Sequence, residues 1–171
     1  MTEAERPERS EVVAYVALGA NLGDAAQAVR DALQRLDRTP GIRLSKTSSL
    51  YRTAPLDSSG PDYINAVAEV ATVLTAPDLL TALQAMENAA GRERPYRNAP
   101  RTLDLDLLLY GSARIVSPEL TVPHPRLWAR AFVLVPLAEV APTLVGVEAL
   151  HAVAGQGVTR CTATSGSTGS D

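Results

Sequence analysis

A strand signal stands out at Leu103-Asp104-Leu105-Asp106-Leu107-Leu108-Leu109-Tyr110, where two carboxylates interrupt an otherwise apolar run. Side chains alternate between the faces of a β-strand, so both carboxylates share one face and the intervening leucines occupy the other. A buried strand does not need paired acids, because like charges about 6–7 Å apart repel each other unless a cation lies between them. Mg2+ binds one or two carboxylates together with water and phosphate oxygens. The run is therefore either a metal-binding strand or a half-exposed strand whose acids face solvent.

The segment before this strand is rich in arginine, with Arg92, Arg94, Arg97 and Arg101 close together. Arginine presents a planar fork of donors that binds phosphate oxygens at two points. Paired acids beside such a segment are typical of phosphoryl transfer, which depends on positioning and charge neutralisation. The number of arginines alone indicates little, because the chain has a single lysine, Lys46. Their position beside the acid pair is the stronger signal.

Composition indicates an ordinary soluble protein. A chain of 171 residues is long enough to enclose one core, and its net charge of −3 provides no basic field for nucleic acid or an anionic membrane. The single cysteine, Cys161, excludes an internal disulfide or a thiolate zinc site. No apolar run approaches the roughly 20 residues of a membrane span, and residues 1–10 are too polar for a signal peptide. We therefore expect a cytoplasmic protein without nucleic-acid or membrane partners.

Strand and helix signals alternate along the chain. Asp24 and Thr75 can each cap a helix, and Pro40-Gly41 and Gly91 mark where those two helices end. The predicted elements are strand 12–18, a helix after Asp24, strand 42–53, strand 63–74, a helix after Thr75, the acid-pair strand, a short apolar pair at 115–116 and helix 131–140. This order predicts an α+β fold with a ferredoxin-like split βαβ core, its antiparallel sheet flanked by helices in α/β/α layers.

Domain boundaries follow from composition. Residues 1–10 are predicted to be a flexible extension, and residues 11–154 a single catalytic domain. Residues 155–171 are rich in glycine, serine and threonine and are predicted to be a disordered tail.

Several motifs occur together in the order and approximate spacing of one family. They are Gly19-Ala20-Asn21-Leu22-Gly23, Tyr51-Arg52-Thr53-Ala54-Pro55, Pro61-Asp62-Tyr63-Ile64-Asn65, Pro100-Arg101-Thr102-Leu103-Asp104-Leu105-Asp106 and Leu120-Thr121-Val122-Pro123-His124-Pro125. From about Val12 to Pro142 the chain resembles the 6-hydroxymethyl-7,8-dihydropterin pyrophosphokinases. The resemblance implies transfer of a diphosphate from ATP to a pterin alcohol in folate biosynthesis, by a monomeric protein.

The resemblance also implies roles for individual residues. Asp104 and Asp106 would hold two Mg2+ ions, while Arg92 and Arg101 would act catalytically on the phosphates from a mobile loop. The implied ATP contacts are Gln84, Glu87, Arg94, Leu107, Thr121, His124 and Arg130. The implied pterin contacts are Thr53, Ala54, Leu56, Tyr63, Asn65 and Phe132. The loop lacks the tryptophan that covers the pterin in some members, so Tyr96 is the aromatic available to replace it, and Glu119 stands where some members carry an arginine.

Three other functions are compatible with such a fold. One is a non-catalytic, ferredoxin-like module that binds a nucleotide or another ligand, which would not need both acids beside arginines. A second is a single-strand nucleic-acid binder, which an aromatic content of 4% and an acidic net charge disfavour. A third is a kinase that transfers only the γ-phosphate, although the sequence contains no Walker A motif. The nucleotide product, AMP or ADP, distinguishes the predicted reaction from this third alternative.

Overall fold

The computed structural model describes residues 9–55, 60–91 and 103–161. Its main sheet contains β1 (Val12–Ala20), β2 (Ile42–Thr47), β3 (Tyr51–Thr53), β4 (Tyr63–Thr72), β5 (Asp104–Tyr110) and β8 (Thr159–Arg160). Neighbouring strands run in the order β5-β1-β4-β3-β8, β2 also pairs with β4, and every pairing is antiparallel. A separate hairpin pairs β6 (Ile115–Val116) with β7 (Thr121–Val122). The helices are α1 (Ala25–Arg38), α2 (Ala76–Gly91), α3 (Ala131–Val140) and α4 (Val147–Ala152), with single 3-10 turns at Leu127–Ala129 and Pro142–Leu144.

Both predicted helix caps are confirmed. The Asp24 side chain accepts a hydrogen bond from the Gln27 N–H at 3.1 Å, which satisfies one of the free donors in the first turn of α1. Thr75 accepts from the Asp78 N–H at 3.2 Å in the same way at the start of α2. After α1 the chain reverses at Gly41, whose φ of 86° lies in the left-handed region that favours glycine.

Helices cover both faces of the sheet, so the predicted α/β/α layers are confirmed. On one face, α1 and α2 bury leucines such as Leu36 and Leu83 against β1, β4 and β5. On the other face, α3 buries Leu134 and Leu137 against residues such as Val67. No described helix has the length and apolar character needed to cross a membrane.

The prediction of one strand over residues 42–53 is wrong, because the chain leaves the ladder between β2 and β3. At this break, the Ser48 N–H donates to the Val67 carbonyl at 2.9 Å. The Ser48 hydroxyl oxygen accepts from the Val67 N–H, also at 2.9 Å. The carboxylate of Glu139, on α3, accepts from the Ser49 N–H at 2.6 Å. The interruption is therefore stabilised by a helix about ninety residues further along the chain.

The prediction of a disordered tail from Gly155 is also wrong for residues 155–161. Thr159–Arg160 form β8 against β3, and the Cys161 N–H donates to the Leu50 carbonyl at 2.8 Å. The edge of β3 offers backbone donors and acceptors to any extended segment, so a glycine- and threonine-rich composition does not prevent pairing. Residues 1–8 and 162–171 lie outside the described residues.

Candidate active site

The sheet register aligns the acid pair with predicted pterin-binding residues. In β1, Gly19 lies between Asp104 of β5 and Asn65 of β4, while Ala17 lies opposite Asp106. Both aspartates are exposed, and the leucines that alternate with them are buried. The predicted division of this strand into an acidic and an apolar face is therefore confirmed. The aspartates lie on the face that α3 covers further along the sheet.

Beside the acid pair lies a cavity of about 1080 Å³. It is lined by most of the residues predicted to contact the pterin, by both aspartates and by one residue predicted to contact ATP. The predicted residues that line it are Thr53, Ala54, Tyr63, Asn65, Asp104, Asp106, Arg130 and Phe132. The cavity therefore brings together side chains from four strands and one helix of a single chain.

The Asn65 carboxamide is held in place at the floor of the cavity. Asn65 is 6% exposed, and its Nδ2 donates to Thr53 Oγ1 at 3.2 Å. A Cβ atom at position 19 would lie only 2.9 Å from Asn65 Oδ1, so Gly19 is the residue that leaves room for this amide. No role was predicted for Gly19, although a glycine inside a strand often marks a close approach of another group.

Arginines provide positive charge near the aspartates. The Arg130 guanidinium lies over the Phe132 ring, 5.4 Å from its centroid, and both residues line the cavity. Stacking of this kind stabilises the orientation of both side chains. Arg126 also lines the cavity, although no role was predicted for it. Its position directly after the Pro-His-Pro motif was the signal that could have identified it.

His124 is held by hydrogen bonds to β5 and to its own segment, and it is not among the residues that line the cavity. Its N–H donates to the Leu108 carbonyl at 2.9 Å, and its Nδ1 accepts from the Arg126 N–H at 3.1 Å. Partial burial lowers the pKa of His124, and Arg126 and Arg130 lower it further, against an opposing effect from Asp106. Because Nδ1 is already used as an acceptor, Nε2 is the ring nitrogen left to contact a ligand.

Among the described residues, the other ones predicted to contact ATP lie around the acid-pair strand, outside the cavity lining. Gln84 is exposed on α2, and Glu87 on the same helix accepts from the Leu105 N–H at 2.9 Å. The Leu107 side chain is buried in the core, so only its backbone can meet a ligand. Thr121 pairs with Val116 in the hairpin. Five residues with a predicted role lie outside the described residues: Leu56, Arg92, Arg94, Tyr96 and Arg101.

The sequence matches one protein family and relatives that carry the same enzyme name. Residues 15–142 match the family described as 7,8-dihydro-6-hydroxymethylpterin-pyrophosphokinase. The 2-amino-4-hydroxy-6-hydroxymethyldihydropteridine pyrophosphokinase of Pseudomonas aeruginosa is 48% identical over 131 residues, which cover 76% of this chain and 81% of that protein. The enzyme of the same name from Bacillus subtilis is 41% identical over 129 residues, covering 75% and 77%.

Solved structures support the fold. The HPPK-DHPS protein of Plasmodium falciparum superposes with a TM-score of 0.64 at 15% identity, covering 79% of this chain. This chain spans 43% of that longer protein. At this identity the likeness shows the fold alone.

Proposed function

This chain belongs to the 7,8-dihydro-6-hydroxymethylpterin-pyrophosphokinase family, the folate-biosynthesis enzymes that transfer pyrophosphate from ATP to hydroxymethyldihydropterin, and we propose that Asp104 and Asp106 hold the metal for this transfer. The observation that carries the proposal is the register in which β1 pairs with β5 on one side and with β4 on the other. It aligns both carboxylates on one face, at the wall of the cavity that contains Asn65.

The donor set fits Mg2+. Among the described residues, no cluster of three or more histidine, cysteine or acidic side chains could hold a metal ion. Mg2+ needs only one or two carboxylates when substrate phosphates and water complete its coordination, which is the arrangement that Asp104 and Asp106 can offer. We propose two ions, which when bound would neutralise phosphate charge and align the attacking and leaving oxygens.

The part of the cavity that is lined by Asn65, Tyr63 and Phe132 suits the flat, polar ring system of a pterin. A carboxamide can both donate and accept, as the edge of an aminopyrimidinone requires, and Asn65 is oriented by Thr53. Tyr63 and Phe132 offer aromatic surface on which the heterocycle can stack. We therefore assign the pterin to this part of the cavity, with its hydroxymethyl group directed toward the aspartates.

Positive charge for the phosphates comes from two sources. Arg126 and Arg130 line the cavity beside the acid pair and can stabilise charge that develops on the transferred group. We propose that Arg92 and Arg101 add to this charge mainly in the transition state. Alanine at either position is then expected to lower kcat more than it weakens substrate binding.

Identification of the nucleotide product tests the reaction. The protein is incubated with ATP, Mg2+ and hydroxymethyldihydropterin, and the nucleotides are separated by chromatography. AMP and the pterin diphosphate are expected in equal amounts. ADP would instead indicate transfer of the γ-phosphate, and binding without turnover would indicate the non-catalytic module. Because one chain supplies all the cavity groups described above, we propose that the monomer is the active unit, which sedimentation at assay concentrations would test.

A further inference from the structure

One side of the cavity is formed by a segment beyond the region that matches the family. The match ends at residue 142, whereas Gln156, Gly157 and Val158 line the cavity. This wall was absent from the sequence prediction, which treated residues 155–171 as disordered.

The Gln156 side chain makes two hydrogen bonds to the backbone at the start of α3. Its Oε1 accepts from the Ala131 N–H and its Nε2 donates to the Ala129 carbonyl, both at 2.9 Å. Ala131 is the first residue of α3, where backbone N–H groups have no partner within the helix. Arg130 occupies the capping position but makes no side-chain capping bond. Gln156 therefore supplies the cap from a different part of the chain.

The two bonds hold the backbone next to two cavity residues, Arg130 and Phe132. Arg130 lies between Ala129 and Ala131, and Phe132 follows directly, so fixing this backbone fixes where both side chains begin. Those side chains contact each other and face the cavity. We propose that Gln156 is a positioning residue of the pterin site, holding the start of α3 so that Phe132, with Arg130 stacked on its ring, presents a preformed wall to the pterin. This inference rests on the proposed function.

The rest of the segment supports this role. Three residues after Gln156 the chain enters β8, which pairs with the strand that carries Thr53. The segment therefore links the two walls of the pocket, with Gly157 and Val158 lining the space between them. Preformed walls improve affinity because fewer side chains must be ordered when the ligand binds.

A double-mutant cycle tests the proposal. Pterin affinity is measured by calorimetry with Mg2+ and an ATP analogue that carries a methylene group between the α- and β-phosphates, so that no transfer occurs. Gln156→Met keeps the length of the side chain but removes both hydrogen bonds. It is expected to weaken pterin binding about fivefold. In a Phe132→Leu background the same change is expected to cost less than about twofold, because the wall that Gln156 positions is already lost.

The control is Gln34→Met, an exposed glutamine on α1, which packs against the other face of the sheet. It is expected to leave pterin affinity unchanged. Equal losses from Gln156→Met in both backgrounds would indicate a general structural role and overturn the proposal, as would a single variant that binds pterin like the wild type. If the wild type itself bound no pterin, the proposed function would fail instead.

Discussion

The Glu87 carboxylate accepts a hydrogen bond from the Leu105 backbone N–H at 2.9 Å. Leu105 lies between the two proposed metal ligands, Asp104 and Asp106. Their strand, β5, stands at the end of the main sheet next to β1, so its outer backbone groups lack a strand partner among the described residues. Glu87 thus anchors the edge strand to α2 at the point where metal-ligand geometry depends on backbone position.

Glu87→Ala should lower the free energy of unfolding by about 1–3 kcal/mol, because it leaves a buried N–H without its acceptor. It should also raise the Mg2+ concentration needed for half-maximal activity. Glu87→Gln retains a carbonyl oxygen for Leu105 and should largely restore both properties in urea unfolding and activity titrations. Asn88→Ala, at the exposed neighbouring position on α2, is the control. If Glu87→Gln weakened ATP binding as much as Glu87→Ala, Glu87 would act by contacting the nucleotide.

Asp104→Asn and Asp106→Asn should each abolish turnover while the fold is retained. The buried leucines on the other face of β5 are unchanged by either substitution, so the strand should keep its packing against the core. AMP formation and thermal unfolding without Mg2+ measure the two effects. Glu148→Gln, which neutralises an exposed carboxylate on α4, should leave turnover unchanged. Near-normal activity of either aspartate variant at ordinary Mg2+ concentrations would refute the metal assignment.

Asn65→Leu should weaken pterin binding about tenfold or more, because leucine has similar bulk but leaves groups on the pterin edge without partners. Calorimetry with the methylene ATP analogue and Mg2+ measures this loss. ATP affinity measured alone should barely change. Equal losses for both ligands would instead assign Asn65 a structural role in β4.

Gly19→Ala should reproduce part of this defect without altering Asn65 itself. The new Cβ would lie 2.9 Å from Asn65 Oδ1, so the carboxamide must shift from its hydrogen bond to Thr53. Pterin affinity is expected to fall several-fold, by an amount that becomes smaller in an Asn65→Leu background. Gly146→Ala is the matched control, since a Cβ there meets nothing within 4 Å. Wild-type pterin affinity in Gly19→Ala would show that the amide position is not critical.

His124 should make stability depend on pH. Its folded-state pKa lies below the unfolded value of 6.5, so the unfolded chain binds more protons as pH falls. The contribution of His124 is present above about pH 6.5 and is lost as pH falls toward the folded-state pKa. His124→Asn keeps an acceptor for the Arg126 N–H but cannot titrate, so it should flatten urea-unfolding free energies measured between pH 5 and pH 7.5. The control is His151→Asn, at an exposed position on α4; a profile unchanged by His124→Asn would contradict the assignment.

Local sequence patterns were sufficient to predict much of the fold. The alternation of Asp104 and Asp106 with leucines predicted which of these residues are exposed and which are buried, because a strand offers its side chains only two faces. Asp24 and Thr75 identified the starts of α1 and α2, since a cap involves residues only three positions apart. The order of the elements then predicted the sheet and its layers. Five of the six residues that motif resemblance predicted to contact the pterin line one cavity.

Other features depended on contacts between distant parts of the chain. The break between β2 and β3 is stabilised by Glu139, and residues 155–161 are ordered by the open edge of β3 and by the backbone next to α3. Gly19 matters only because β1 and β4 pair in a register that places Asn65 beside it. The sequence by itself determined which residues could form strands, caps and ligands, because those properties arise within a few positions. Only the tertiary structure decided which of them meet around the cavity, because hydrogen bonds between distant segments depend on where the whole sheet places them.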